Sequence, residues 1–185
     1  MKPITNKDII VAAPEQYRDL ARKLSHEMAM KTGLDVSYWT IKQYETHEFE
    51  LGSARCVILL GNPDENNLTK DYLPIIGDKL KNRAGACFGY DGSKAVVFGE
   101  GKLDQFEEFQ KLVQELKKHS LTTSVLVIFS SITGVLYFTA LVYAAWKLLS
   151  NKAKQEKLRR SQTEVAIALF LTNDFDQMAG INKKD

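Results

Sequence analysis

The chain begins with an apolar run, "DIIVAA" (8–13), that stops at Pro14, and it continues with Tyr17, Leu20, Ala21, Leu24 and Met28 at helical spacing up to Gly33. This pattern predicts a β-strand followed by an amphipathic helix. "LDVSYWTI" (34–41) is rich in β-formers and alternates Val36 and Tyr38 with Asp35 and Ser37, so a second strand is expected there. The acidic stretch "YETHEFELGS" (44–53) reads as a connection with room for a helical turn, and "ARCVILLG" (54–61), the most apolar strand, as the centre of a parallel sheet. A helix follows, starting near Leu68 or at Pro74 and ending around Leu80. Proline belongs in a first turn, which favours the later start. Tyr90-Asp91-Gly92-Ser93 lies between two apolar runs in "AGACFGYDGSKAVVFGEG" (84–101) and predicts a hairpin. The helix Leu103–Leu116 places Phe106, Phe109, Leu112, Val113 and Leu116 on one face. The fold class expected is α/β: a mainly parallel, three-layer sheet with an edge hairpin, similar in topology to flavodoxin-like or Toll/interleukin receptor-like domains.

The pattern changes after Lys117-Lys118-His119. From Ser120 to Trp146 no Asp, Glu, Lys, Arg or His occurs over 27 residues. At about 1.5 Å per residue this stretch would be roughly 40 Å of helix, longer than the ~30 Å hydrocarbon core. Tyr143 and Trp146 stand near its end, where amphipathic rings favour the headgroup boundary. One transmembrane helix is therefore expected within 119–149, after an α/β domain over 1–118 and before a tail over 150–185. Charge divides the same way. Through His119 there are 17 Lys and Arg against 18 Asp and Glu, and beyond it 8 against 5, so the excess of +2 lies in a basic juxtamembrane tail. Nothing in that distribution suggests a nucleic-acid-binding face.

Two considerations oppose each other on orientation. The C-terminal flank, with Lys147, Lys152, Lys154, Lys157, Arg159 and Arg160, carries more positive charge than the N-terminal flank with Lys111, Lys117 and Lys118. The N-terminus "MKPITNKDIIVAAPEQ", however, has no apolar segment of the secretory kind. A domain that folds before its membrane segment emerges resists translocation, so the N-terminal domain is expected in the cytoplasm, on a single-pass protein of the cell membrane. Cys56 and Cys87 would then be reduced, buried thiols.

Candidate chemistry is sparse. There is no GxGxxG or GxxxxGK[ST] motif, and no cofactor is expected. His26, His47 and His119 have no Ser or Cys partner nearby in sequence, and no metal-ligand spacing occurs. "GEGK" (99–102), just before a helix, is either an ordinary glycine turn or a set of N–H groups facing an anion. In open parallel sheets ligands bind beyond the carboxyl ends of the strands. That rim should carry Pro14, Glu15 and Gln16 after the first strand, and Asn62, Asp64, Glu65 and Asn66 after the third. Asn side chains can hydrogen-bond a base or ribose, and a carboxylate can accept a ribose hydroxyl. The same residues also build tight turns. No catalytic residue is singled out.

In the charge-free segment, Thr123, Ser130, Tyr137 and Ala144 recur every seven residues, with Gly134 four beyond Ser130. Such a stripe of small or hydroxylated residues favours close helix packing and self-association. In the tail, Val165, Ala166, Leu169 and Phe170 form a short amphipathic patch suited to a partner subunit or a membrane surface.

One α/β domain joined by a helix to one membrane segment resembles the small membrane effectors of bacterial antiphage defence. The resemblance covers domain order and rests on no motif. It implies a homo-oligomer in the lipid bilayer whose cytoplasmic domain senses a nucleotide-like or infection-derived signal and whose membrane helices assemble to perturb the bilayer or form a pore. One alternative is a membrane-tethered enzyme of Toll/interleukin receptor-like type, cleaving a nucleotide with Glu48, Glu50 or Glu65 as its carboxylate. Another is a non-enzymatic anchor that recruits a partner through the sheet face.

Overall fold

A computed structural model of the chain describes residues 8–47, 56–120 and 150–174. Six strands form one mixed sheet: β1 (Ile9–Ala13), β2 (Val36–Thr40), β3 (Cys56–Leu60), β4 (Lys81–Arg83), β5 (Ala86–Tyr90) and β6 (Lys94–Gly99). Their order is β2-β1-β3-β6-β5-β4. Pairs β1–β2, β1–β3 and β3–β6 are parallel, whereas β5 runs antiparallel to both β6 and β4. Among the described residues there are five α-helices: α1 (Arg18–Thr32), α2 (Ile41–His47), α3 (Asn67–Ile76), α4 (Phe106–Ser120) and α5 (Asn151–Asn173).

The period-2 geometry of the strands divides the core in two. Ile9, Val11, Ala13, Cys56, Ile58, Leu60, Phe88 and Val97 face α1, α4 and α5. Ile10, Ala12, Val57, Leu59, Cys87, Val96 and Phe98 face Tyr44 of α2 and Tyr72 and Ile76 of α3. Every residue of β1 and β3 is buried, as expected of strands covered on both sides. Cys56 and Cys87 are free and buried, and burial pushes both thiols up to about 12.

Three elements depart from the sequence reading. Helix α3 starts at Asn67, not at Pro74, because Asn66 caps it by accepting from the Thr69 N–H at 3.3 Å. Pro74 falls two residues before the helix ends and interrupts little of the ladder. Helix α2 begins at the residue following β2, inside the stretch read as strand and connection. The largest departure is α5. The region read as a basic tail with a short patch is a 23-residue helix packed across β6 and β5. Its Val165, Ala166, Ile167, Leu169 and Phe170 belong to the same core as β1 and α1, not to a subunit contact or membrane surface.

That docking corrects the membrane expectation. Among the described residues no helix is long and apolar enough to cross a membrane. The charge-free stretch, with Thr123, Ser130, Gly134, Tyr137 and Ala144, lies outside the described residues. Its two flanks, however, are fixed: α4 and α5 contribute to one core on one face of the sheet. The described residues form a mixed α/β sheet domain with five α-helices, and none of these helices supports the expected single-pass helix or the cell-membrane location built on it.

Candidate functional site

At the carboxyl rim of the sheet, the loop after β1 and the loop after β3 approach each other closely. Gly61 makes this possible: its φ is 118°, and a Cβ there would stand 3.3 Å from both Pro14 Cδ and Tyr17 Cε2. Pro14 and the Tyr17 ring therefore pack directly against Gly61.

The four rim residues after β3 separate into two kinds. Asn62 and Asn66 are buried and structural. Asn62 donates to the Gly99 carbonyl at 2.8 Å and accepts from the Asp64 N–H at 2.9 Å. Asn66 donates to the Leu60 carbonyl at 3.1 Å while capping α3. Asp64 and Glu65 instead turn towards a residue far along the chain. Arg159 of α5 donates through Nη1 to Glu65 Oε1 at 2.6 Å, and its Nη2 stands 3.7 Å from Asp64 Oδ2. The second Glu65 oxygen accepts from the Tyr17 hydroxyl at 2.7 Å. Burial, then the hydrogen bond to Glu65, raises the Tyr17 phenol well above its ordinary range. Arg159 Nε is buried with no hydrogen-bond partner.

After β1, Glu15 pairs with Arg18 and accepts from the Tyr38 hydroxyl at 3.4 Å, away from this cluster. Gln16 is exposed. Of the seven rim residues read from the sequence, the structure brings Asp64 and Glu65 into one polar cluster, with Pro14 packed beneath it.

Helix α5 reaches the rim because Gly99 and Gly101 leave room for it. A Cβ on Gly99 would lie 2.2 Å from the Arg159 carbonyl oxygen, and one on Gly101 would lie 3.0 Å from Arg159 Cβ. The N–H groups of these glycines are both committed to the helix: Gly99 donates to Thr163 Oγ1 at 2.9 Å and Gly101 to Gln162 Oε1 at 2.7 Å. The "GEGK" turn is thus a seat for α5. Beside it, Glu100 accepts from Gln105 at 2.5 Å and Lys102 at 3.1 Å. Burial raises the Glu100 carboxyl, but these donors outweigh it and hold the group below its ordinary range.

Away from the rim, a concavity lies between α1 and α5. It measures about 230 Å³, with Leu20, Leu24, Ile167 and Leu171 among its lining and Lys23, Arg160 and Glu164 at its edge. Burial raises the Glu164 carboxyl against the pull of Arg160, whose Nε is 4.0 Å away. Among the described residues no group of His, Cys, Asp and Glu is placed to hold a metal ion. Glu48 and Glu50 lie outside the described residues.

Sequence reasoning missed Tyr17, which counts there only as a helix-face residue, and Arg159, which counts only as flanking charge. No known protein family, no curated protein and no solved structure matches this chain.

Proposed function

We propose that the domain is a ligand-responsive module that takes a small phosphate-bearing, nucleotide-like molecule at the carboxyl rim, with Arg159 as its anion-binding group. The observation that carries this reading is the state of Arg159. Its side chain is four-fifths buried and its guanidinium is held by Glu65 on one side, while its Nε has no hydrogen-bond partner. A guanidinium presents its donors as a planar fork that suits phosphate oxygens. A phosphate arriving from the exposed Asp64 side would compete with that carboxylate first and with Glu65 second. Tyr17 and Glu65 would hold the fork in place before the ligand arrives. The reading requires no bond to be made or broken, and both Glu65 oxygens already accept hydrogen bonds.

The reading predicts opposite signs for two substitutions. AMP added in millimolar excess should raise the melting temperature of the full chain, since a ligand at 100 times its Kd stabilises by about 2.7 kcal/mol. Glu65→Gln removes the competing charge and should enlarge that rise. Arg159→Ala should abolish it, and by leaving Glu65 without its charged donor should itself cost about 1.5–3 kcal/mol. An AMP response that is absent from wild type and Glu65→Gln, or unchanged in Arg159→Ala, refutes the proposal.

A further inference from the structure

The concavity between α1 and α5 has an apolar floor that both helices supply. Helix α1 contributes Leu20 and Leu24, and α5 contributes Ile167 and Leu171. A step of four residues keeps each pair on one side of its helix. Leu24, Ile167 and Leu171 are buried, and Leu20 is packed against the same core. The floor is therefore fixed before anything lies on it. An apolar cavity of about 150 Å³ takes benzene, so a concavity of about 230 Å³ has room for a bicyclic aromatic ring.

Charge around this floor is unbalanced. Asp19, Glu27 and Glu164 stand against Lys23 and Arg160, three carboxylates to two cations. The groups also differ in depth. The Arg160 side chain is 58% exposed and that of Glu164 19%, so the carboxylate is the inner group and the guanidinium the outer one. At 4.0 Å their contact is too long for a hydrogen bond. Burial raises the Glu164 carboxyl more than Arg160 and Lys23 together lower it, so its charge is under-compensated where it stands. A part-buried carboxylate beside apolar side chains is costly unless a cation meets it.

From this we infer that the α1–α5 concavity binds an amphipathic amine, its flat apolar body lying on Leu20, Leu24, Ile167 and Leu171 and its ammonium donating to the Glu164 carboxylate. A primary ammonium is a compact charge with three donors, and it forms the short, charge-assisted hydrogen bond that Arg160 does not make. Arg160, largely exposed, is free to turn outward as the ammonium arrives. An anionic head group on the same body would meet the excess of carboxylates, and a neutral one would leave the Glu164 charge without its counterpart. This inference does not depend on the rim site.

Isothermal titration calorimetry of the full chain tests it with three indoles that share a ring and differ in head group. Tryptamine should bind saturably. Tryptophol, its alcohol counterpart, lacks the charge-assisted hydrogen bond and should bind about tenfold more weakly. Indole-3-propionate should not bind detectably. Glu164→Gln keeps the size of the side chain and removes its charge, and it should reduce tryptamine to the affinity of tryptophol. Leu20→Trp fills the floor from α1 and should abolish the binding of both, with an unchanged circular dichroism spectrum. Should either variant fail to fold, the order of the three head groups in the wild type decides. A wild type that does not bind tryptamine, or that binds tryptophol or indole-3-propionate equally well, overturns the inference, as does unchanged tryptamine affinity in Glu164→Gln.

Discussion

Gln162 shows how much of this fold rests on one polar side chain. It is fully buried, and its two amide atoms hold two different loops. Oε1 accepts from the Gly101 N–H, and Nε2 donates to the Ala84 carbonyl at 2.9 Å, in the β4–β5 turn. That turn has no slack, because Ala84 and Gly85 have φ values of 52° and 82° and a Cβ on Gly85 would lie 2.1 Å from Gln162 Nε2. Leucine matches glutamine roughly in size but satisfies neither loop. Each main-chain group left unpaired costs about 1–3 kcal/mol, so Gln162→Leu should cost about 2–6 kcal/mol. Gln155, exposed in the first turns of the same helix, supplies the control, and Gln155→Leu should stay within about 0.5 kcal/mol. Denaturant midpoints at constant m-value measure both. Similar losses in the two variants would mean that the Gln162 hydrogen bonds contribute nothing beyond helix propensity.

At the scale of elements, the β5–β6 hairpin is tied at its tip by Asp91. The carboxylate accepts from the N–H groups of Ser93 at 2.8 Å and Lys94 at 3.0 Å, and from the hydroxyl of Tyr72 on α3. Partial burial raises the Asp91 carboxyl, but these donors outweigh it and hold it at about 2. A carboxyl whose folded pKa lies below the unfolded value of about 3.9 adds stability above that pH and loses it as the pH falls through the folded value. Asp91→Asn should therefore shrink the drop in melting temperature between pH 4 and pH 2. Because the group is largely exposed, the effect should stay under about 1 kcal/mol. An equal acid drop in both proteins would assign the acid sensitivity to other carboxylates. The hairpin is also where the sequence is most legible, since Asp91-Gly92 between two apolar runs has few other solutions. Strands β1 and β3 are legible for a related reason: burial on both faces writes an unbroken apolar run. Helix α5 is not legible, because its first ten residues are mostly polar and its apolar face matters only where Gly99 and Gly101 let it approach the sheet. The site divides the same way. Asp64 and Glu65 can be placed at the rim from strand order, but the partner of Glu65 lies 94 residues away and no local pattern marks it.

For the whole molecule, the consequence of α5 is that a helix far along the chain from α4 belongs to the same core. Ten residues of α5 are buried, from Leu158 to Leu171, so the returning helix is as much part of the domain as β1. Phe170 is fully buried among them. A chain ending at Ser150 would leave the α5-facing sides of β5 and β6 bare and should not fold cooperatively. The intervening segment is a separate matter, because both of its flanks are anchored in one core and the entropy of closing a flexible loop is set chiefly by its length. Replacing residues 121–149 with a Gly/Ser linker of the same 29-residue length should leave a domain that melts cooperatively and keeps the AMP response proposed for the full chain. Circular dichroism melts of the replacement variant with and without AMP measure these outcomes. The contrast with truncation at Ser150 is the decisive part: if α5 belongs to the core, the chain tolerates loss of the apolar segment before it but not loss of the helix itself. Cooperative folding of the truncated chain, or collapse of the linker variant, would show that the core closes without α5 or that 121–149 helps to close it.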